Sequence, residues 1–474
     1  MSVSTPLSAR RAATVLAVAT VLVWTFAHGV PTGVGAEAAA FATAVGAAAV
    51  CTTVLVVSAP LGLWSGGPMF FVVLAIFHVP LPAFRLLDAE MPGDDVGYVA
   101  LWFVSSDQVL RAVWLVAQAM LAFTAGYLLL ARRTTGPALS ARWPARPEVD
   151  GMGASLAAVG TTIVVTTVVY VLGTIALMEP QLLLGQGGKR LYDATIASNP
   201  SLTVGAMGIL IGSSLVAAGA PSVVRTVGLA FFGAFAASTL VMGSRSSALY
   251  AIVGLVAVLA RSRPMPRQVV AVVAVVAGLV LVNGVQQIRD EGLAETGLVE
   301  IAGSPLAATV EMGSTLRPVI ETVAWFDNGE SPRLGETFVA GPIRFGELVA
   351  GVDRPYSAVD PRLIGTMLRE RVEHYEIGYS IVAEAFLNFG AVGSAVLFVA
   401  LGLLFGRWDG RRLGSPTVAA VYGVVYTAVL ATVRQSASIT VTTCLLGAAA
   451  VALAWWLSSV RAKGARLDSS GVGP

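Results

Sequence analysis

Apolar runs of about 20 residues recur along the whole chain, and this pattern constrains the fold more than any other feature. A bilayer's hydrocarbon core is about 30 Å thick and is crossed by about 20 helical residues. Backbone groups inside it must bond within their own segment, so each crossing run is expected to be a helix. Such runs fall near 12–30, 36–58, 67–84, 109–131, 152–177, 203–220, 223–242, 246–260, 268–287, 379–405, 417–433 and 437–458. Charged residues make up 12% of the chain, against about 25% in an ordinary soluble domain, and the mean hydropathy is +0.78. The expectation is an all-α polytopic membrane protein of about twelve transmembrane helices. It forms a single membrane domain over 1–474, with a large extracytoplasmic loop containing short helices at 288–378. The first run follows Arg10 and Arg11 as a signal peptide would, but it is long for one and further runs follow, so it is read as retained. The two cysteines, Cys51 and Cys444, each sit inside an apolar run and provide neither a disulfide framework nor a metal cluster.

Orientation follows from the short connections, because cytoplasmic loops carry an excess of Lys and Arg. With the N-terminus inside, the inner side receives Arg132, Arg133, Arg142, Arg146, Arg225, Arg261, Arg263, Arg267, Arg407, Arg411, Arg412 and the Arg461–Arg466 tail. Both termini are then cytoplasmic, in the inner membrane of a bacterium. The outer side holds the loop 85–107, the stretch 178–202 with Lys189 and Arg190, the turn Gly243-Ser244-Arg245-Ser246, and 288–378 with about half of the acids. Loops as long as the last, roughly 90 residues, are uncommon unless functional. Within it, Leu306, Val310, Gly313, Leu316, Ile320 and Val323 recur at helical spacing, which predicts an amphipathic helix over 305–326 kinked at Pro318. Trp325 and Phe326 are expected at headgroup level. A second helix is expected over 361–376, with Pro- and Gly-rich turns between the two.

Arginines at the outer ends of spans run against the orientation bias and need a local reason. Arg245 and Ser244 lie in a Gly-Ser turn, Arg434 lies at the junction of the last two spans, and Lys189, Arg190, Arg289 and Arg317 are further candidates. A diphosphate would supply that reason, since guanidinium forks, Ser hydroxyls and Gly amides all donate to phosphate oxygens. The plain alternative is snorkelling to lipid phosphate or pairing with a loop acid. His374, within Glu370-Arg371-Val372-Glu373-His374-Tyr375-Glu376, is the one histidine of the long loop. It suits a general base as well as it suits a structural hydrogen-bonder. Glu384 and Asn388 are spaced to share a helix face a turn or two inside the membrane, facing the bundle. Gly390 and Gly393 fit close helix approach.

Gly243-Ser244-Arg245-Ser246 opening a span, Glu311-Met312-Gly313-Ser314 in the outer loop, and Gly378 with Glu384, Asn388, Phe389, Gly390 and Gly393 leading into a late span together resemble the O-antigen and oligosaccharide repeat-unit polymerases. These are the Wzy-like membrane glycosyltransferases. The likeness runs over roughly 180–440, and the placing of the large loop before the last spans is also similar. O-antigen ligases share the layout more loosely, with His374 answering to their loop signature.

The resemblance implies a GT-C-like helical fold acting on undecaprenyl-diphosphate-linked oligosaccharide outside the cytoplasmic membrane. A growing glycan would pass from its lipid diphosphate to a hydroxyl of the incoming repeat unit. On that reading Arg245, Arg434, Arg317 and Ser244 hold the diphosphate. His374 is the first candidate base, with Glu384 and Glu311 behind it, and Lys189, Arg190 and Asn388 contact substrate. No nucleotide-binding glycine loop or metal-ligand cluster is legible, so no cofactor and no nucleic acid partner are expected. Membrane lipids, a flippase that delivers the unit and a chain-length regulator are the implied partners. A transporter is the alternative from another class, although no paired broken helices stand in matching halves. A purely structural membrane protein is a third.

Overall fold

A computed structural model describes residues 9–87, 106–131, 147–184, 191, 195, 199–242, 245–261, 265–270, 272–273, 312–352, 360–372, 378–411 and 413–470. Among them there is no strand. The helices are α1 Ala9–His28, α2 Ala36–Ser58, α3 Gly66–His78, α4 Pro80–Leu86, α5 Ser106–Leu130, α6 Pro147–Met178, α7 Pro200–Ala218, α8 Val223–Val241 and α9 Arg245–Leu259. The long loop contributes α10 Leu316–Asp327, α11 Glu336–Val349 and α12 Ile364–Arg371, and the chain continues through α13 Ile381–Asp409, α14 Pro416–Ala431 and α15 Ala437–Ser470.

Six described helices are long and apolar enough to cross a bilayer, or seven if α3 and α4, bent by 55° at Val79, count as one broken span. Ala12–His28, Val204–Ala218, Ala248–Leu259 and Pro416–Ala431 are apolar but shorter. Of the expected run 268–287, only 268–270 and 272–273 are described. The polytopic helical architecture is therefore present, with six or seven full-length crossings where twelve are expected.

The bundle is centred on α5, which is buried on nearly every side from Leu110 to Leu128, as a helix apolar all round must be. Glycines bring α13 against it: a Cβ on Gly126, Gly402 or Gly406 would run into the backbone of Val399, Phe123 or Tyr127, respectively. With no hydrophobic drive between helices in lipid, such close backbone approach supplies the packing energy. Phe70, Phe123 and Phe405 fill the space where α3, α5 and α13 meet.

Helix ends collect at two poles. At one, Asp409 at the end of α13 accepts from the Gly66 and Gly67 amides (3.0 and 2.8 Å) and from the Tyr127 hydroxyl (3.0 Å). Arg261, just past α9, lies 3.8 Å from the same carboxylate and donates to the Asp409 and Arg411 carbonyls. The positive-inside reading puts all of these residues on the inner side. At the other pole His78, Ser380, Tyr250 and Arg434 gather, all assigned by the same reading to outer ends.

The connection between poles reshapes α13. Its N-cap Ser380 bonds His78 at one end of α3, and its last residue Asp409 holds the other end. The 13 residues of α3 rise only about 20 Å, whereas the 29 of α13 would reach about 43 Å if straight. The helix therefore bends at Gly390, which has φ 65° and ψ −173°. This corrects the expectation for Gly390 and Gly393. A Cβ on Gly390 would meet nothing within 4 Å, so its role is the left-handed φ, and the space above Gly393 is taken by Phe389 of the same helix.

The long loop departs from expectation in three places. Pro318 falls in the first turn of α10, and the expected helix is interrupted just before it, by a turn at Ser314–Thr315, so the break precedes α10 instead of bending it at Pro318. The Gly341-Pro342 stretch, expected as a turn, lies inside α11. Trp325 is buried, stacked on Tyr379 (6.4 Å between ring centres) under the Arg371 guanidinium (5.3 Å), and so is not displayed at headgroup level. The expected helix at 361–376 is the shorter α12. The expected 305–311 part of α10 lies outside the described residues.

Candidate functional site

Helix register sets the geometry of the pole that holds His78 and Arg434. A Cβ on Gly254 would meet Thr427, and one on Gly423 would meet Val258. Residues of α9 and α14 therefore pair with descending and ascending numbers, and the antiparallel series runs on to place the start of α9, at Arg245, beside the turn 432–436. The two helix ends that carry Arg245 and Arg434 are thus neighbours. Of Arg245 the backbone is described, and its side chain lies outside the described part, as does all of Ser244.

Arg434 is half-buried. Its guanidinium lies 5.9 Å from the centre of the Phe77 ring, and no carboxylate among the described residues pairs with it. Phe77 in turn lies 6.3 Å from the Tyr250 ring, whose buried hydroxyl has no hydrogen-bond partner among the described residues. Gly378 passes so close that a Cβ there would come within 3.3 Å of Arg434 Nε and within 2.6 Å of its carbonyl. His374 stands four residues before Gly378 in the chain and, like Glu311, Lys189 and Arg190, lies outside the described residues.

Glu384 is fully buried, and its oxygens are all engaged. Oε1 accepts from Thr337 (2.7 Å) and Ser436 (3.2 Å), and Oε2 from the Ala437 amide (2.7 Å). Asn388 completes the knot. Its amide donates to Thr337 Oγ1 and to the Glu384 carbonyl (both 2.7 Å), and its oxygen accepts from the Gly335 amide (3.0 Å). The two residues share a face, as their spacing predicts. What they hold there is the loop, by the first turn of α11, and the start of α15, three residues past Arg434.

Arg317 is buried on α10 and lies 3.4 Å from Glu321. Burial pushes the Glu321 carboxyl above its usual range, and Arg317 pulls the other way. Other loop arginines are likewise paired. Arg333 and Arg371 both hold Glu330 (2.8 and 2.7 Å), and Arg362 holds Asp360 (2.8 Å). Burial works against the Glu330 charge, but hydrogen bonds from Arg371 and Arg333 outweigh it and keep the carboxyl below its usual range. Among the candidate arginines whose side chains and pairings are described, Arg434 is thus distinguished by standing over an aromatic ring with no acid among the described residues.

Two members of this pole were missed in the sequence, His78 and Tyr250. Buried His78 Nε2 lies 2.7 Å from Ser380 Oγ, and its Nδ1 lies 2.9 Å from the Leu74 carbonyl. An ionisable residue directly before a Val-Pro helix break was the available signal. No group of three or more metal-ligating side chains occurs among the described residues.

No curated protein and no solved structure matches the chain. A family model does match, that of O-antigen polysaccharide polymerase Wzy, over residues 50–460. With most of its length covered, the chain belongs to the Wzy family of O-antigen polysaccharide polymerases.

Proposed function

We propose that this chain polymerises undecaprenyl-diphosphate-linked oligosaccharide repeat units on the outer face of a bacterial inner membrane. An acceptor sugar hydroxyl attacks the anomeric carbon of the growing glycan, the bond to the lipid diphosphate breaks, and the diphosphate leaves with the electron pair. Arg434, a cation with no carboxylate partner among the described residues and beside the helix start that carries Arg245, is the observation that supports this reading most. A preorganised guanidinium stabilises charge that develops on the leaving diphosphate. Ser244 adds a donor, and Arg317, already paired with Glu321, assists from the loop. His374 takes the acceptor's proton, with Glu311 as second base. Glu384 and Asn388 act by positioning the loop over Arg434, and Lys189 and Arg190 contact the sugar or its phosphate. The twelve-crossing topology with both termini inside, a flippase that delivers the unit and a chain-length regulator complete the proposal.

Purified protein in nanodiscs, given the lipid-diphosphate repeat unit, should produce a ladder of longer glycans. A single added unit would indicate a ligase, and no product would fit a transporter. Arg434→Ala should lower turnover by about 10²–10³-fold, with Arg434→Lys recovering part of it and thermal unfolding unchanged. Full activity in Arg434→Ala would overturn the assignment.

A further inference from the structure

α11 is built inside out for a helix in water. At 100° per residue, Phe338, Val339, Pro342, Ile343, Phe345 and Gly346 occupy one continuous arc. None of the six is buried, and Val339, Ile343 and Phe345 are 47%, 43% and 40% exposed. The polar side chains lie on the opposite arc and are spent on protein. Thr337 bonds Glu384, while Arg344 pairs with Glu347, which also meets Arg362 (both 3.6 Å). A surface helix facing water shows the reverse arrangement, and an apolar patch of this extent marks a contact surface.

What that arc touches is indicated by its neighbours. Phe338 stacks on Phe389 at the α13 bend (5.8 Å), and exposure continues from Phe389 down the crossing segment through Val392 and Val396. On its other side α11 packs against the first turn of α15, where a Cβ on Gly341 would meet the Ser438 carbonyl at 2.8 Å. The apolar arc is thus continuous with the exposed apolar face of α13, and α11 is backed by α15, both helices long enough to cross the membrane. Leu334, just before α11, is 85% exposed and holds a left-handed φ of 52°. That conformation is unfavourable for leucine, yet the Leu334 amide is bonded to the Asn388 carbonyl (2.9 Å) and the Arg333 amide to that of Leu387 (3.1 Å). The backbone is held in a strained turn that leaves a leucine displayed.

We infer that α11 lies in the bilayer as an interfacial helix, with Leu334, Val339, Ile343 and Phe345 in contact with acyl chains of the leaflet on the Arg434 side. The long loop is then not a purely aqueous structure. One of its helices forms a wall between lipid and the Thr337–Glu384–Asn388 knot.

The test is independent of any enzymatic activity. In a Cys51→Ala, Cys444→Ala background, Ile343→Cys and Phe345→Cys each carry a bimane label, and the protein is placed in phosphatidylcholine nanodiscs. Asn328→Cys, exposed at the end of α10, is the aqueous control. Lipids bearing a nitroxide high on the acyl chain should quench the α11 labels at least threefold more strongly than the control, and iodide should show the opposite order. Iodide quenching at Ile343 equal to that at Asn328, with no effect of nitroxide lipid, would place the arc in water and overturn the inference. Silence of both quenchers at both positions would also overturn it, since protein, such as a second copy of the chain, would then cover the face.

Discussion

Glu384 shows how much of a side chain's role is set by the donors around it. Its carboxylate closes three bonds from two distant parts of the chain, so a neutral isostere cannot reproduce them. In Glu384→Gln one terminal atom becomes a donor and faces either the Ala437 amide or the Thr337 hydroxyl, which already accepts from Asn388. Leaving such a buried group unpaired costs about 1–3 kcal/mol, to be read as a lowered unfolding temperature in detergent. An unchanged Tm would show that the knot is not needed. The spacing of Glu384 and Asn388 made their shared face legible, whereas their partners Thr337, Ser436 and Ala437 lie 47 to 53 positions away from Glu384 and no local pattern names them. The same holds for the arginines. Composition marks Arg317 and Arg434 alike, and only the fold supplies Glu321 to one and Phe77 to the other.

At the scale of elements, α13 was read as one span over 379–405, and hydropathy could not have read it otherwise, because apolar residues continue through the bend. The bend depends on a single φ. Gly390→Val meets no steric neighbour but must adopt φ 65°, a strain of about 1–3 kcal/mol. The variant should lose polymerisation and gain hydrogen exchange in 381–389, and wild-type behaviour would show that the bend tolerates an ordinary residue. At the opposite end of α13, Asp409→Asn withdraws one acceptor from the two α3 amides and the Tyr127 hydroxyl and leaves Arg261 without its carboxylate. Breaking a buried pair in this way costs about 3–5 kcal/mol. Because α3 runs from Asp409 to Ser380, the loss should loosen His78 at the far pole, and exchange at 74–78 would report it.

Across the whole molecule the loop is tied to the bundle by the Arg111–Asp327 pair and braced within itself by Arg362–Asp360 and by Arg333 and Arg371 on Glu330, and all three acids titrate low. Hydrogen bonds from Arg111 hold Asp327 below its ordinary 3.8, Arg362 does the same for Asp360, and Arg371 with Arg333 holds Glu330 below 4.5 against the cost of burial. A depressed carboxyl contributes stability above its unfolded value that is lost as pH falls through the folded one. Protection of 316–371 in hydrogen exchange should therefore be constant above about pH 5 and fall below pH 4. Glu321, raised by burial, works in the opposite sense, since its protonation relieves a penalty as pH falls. Protection unchanged down to pH 3 would show that packing alone holds the loop.

The chain's own sequence determined membrane residence and helical class, and the sorting of its arginines supplied the orientation proposed above. Hydropathy and charge act locally, each residue answering to lipid or water whatever its distant neighbours are, so they can be read from a linear string. Tertiary structure alone decided which arginine stands over the Phe77 ring, where α13 turns, and that the loop's α11 shows its apolar arc outward. Each of these depends on contacts between residues far apart in the chain, and close packing of helices is what brings them together.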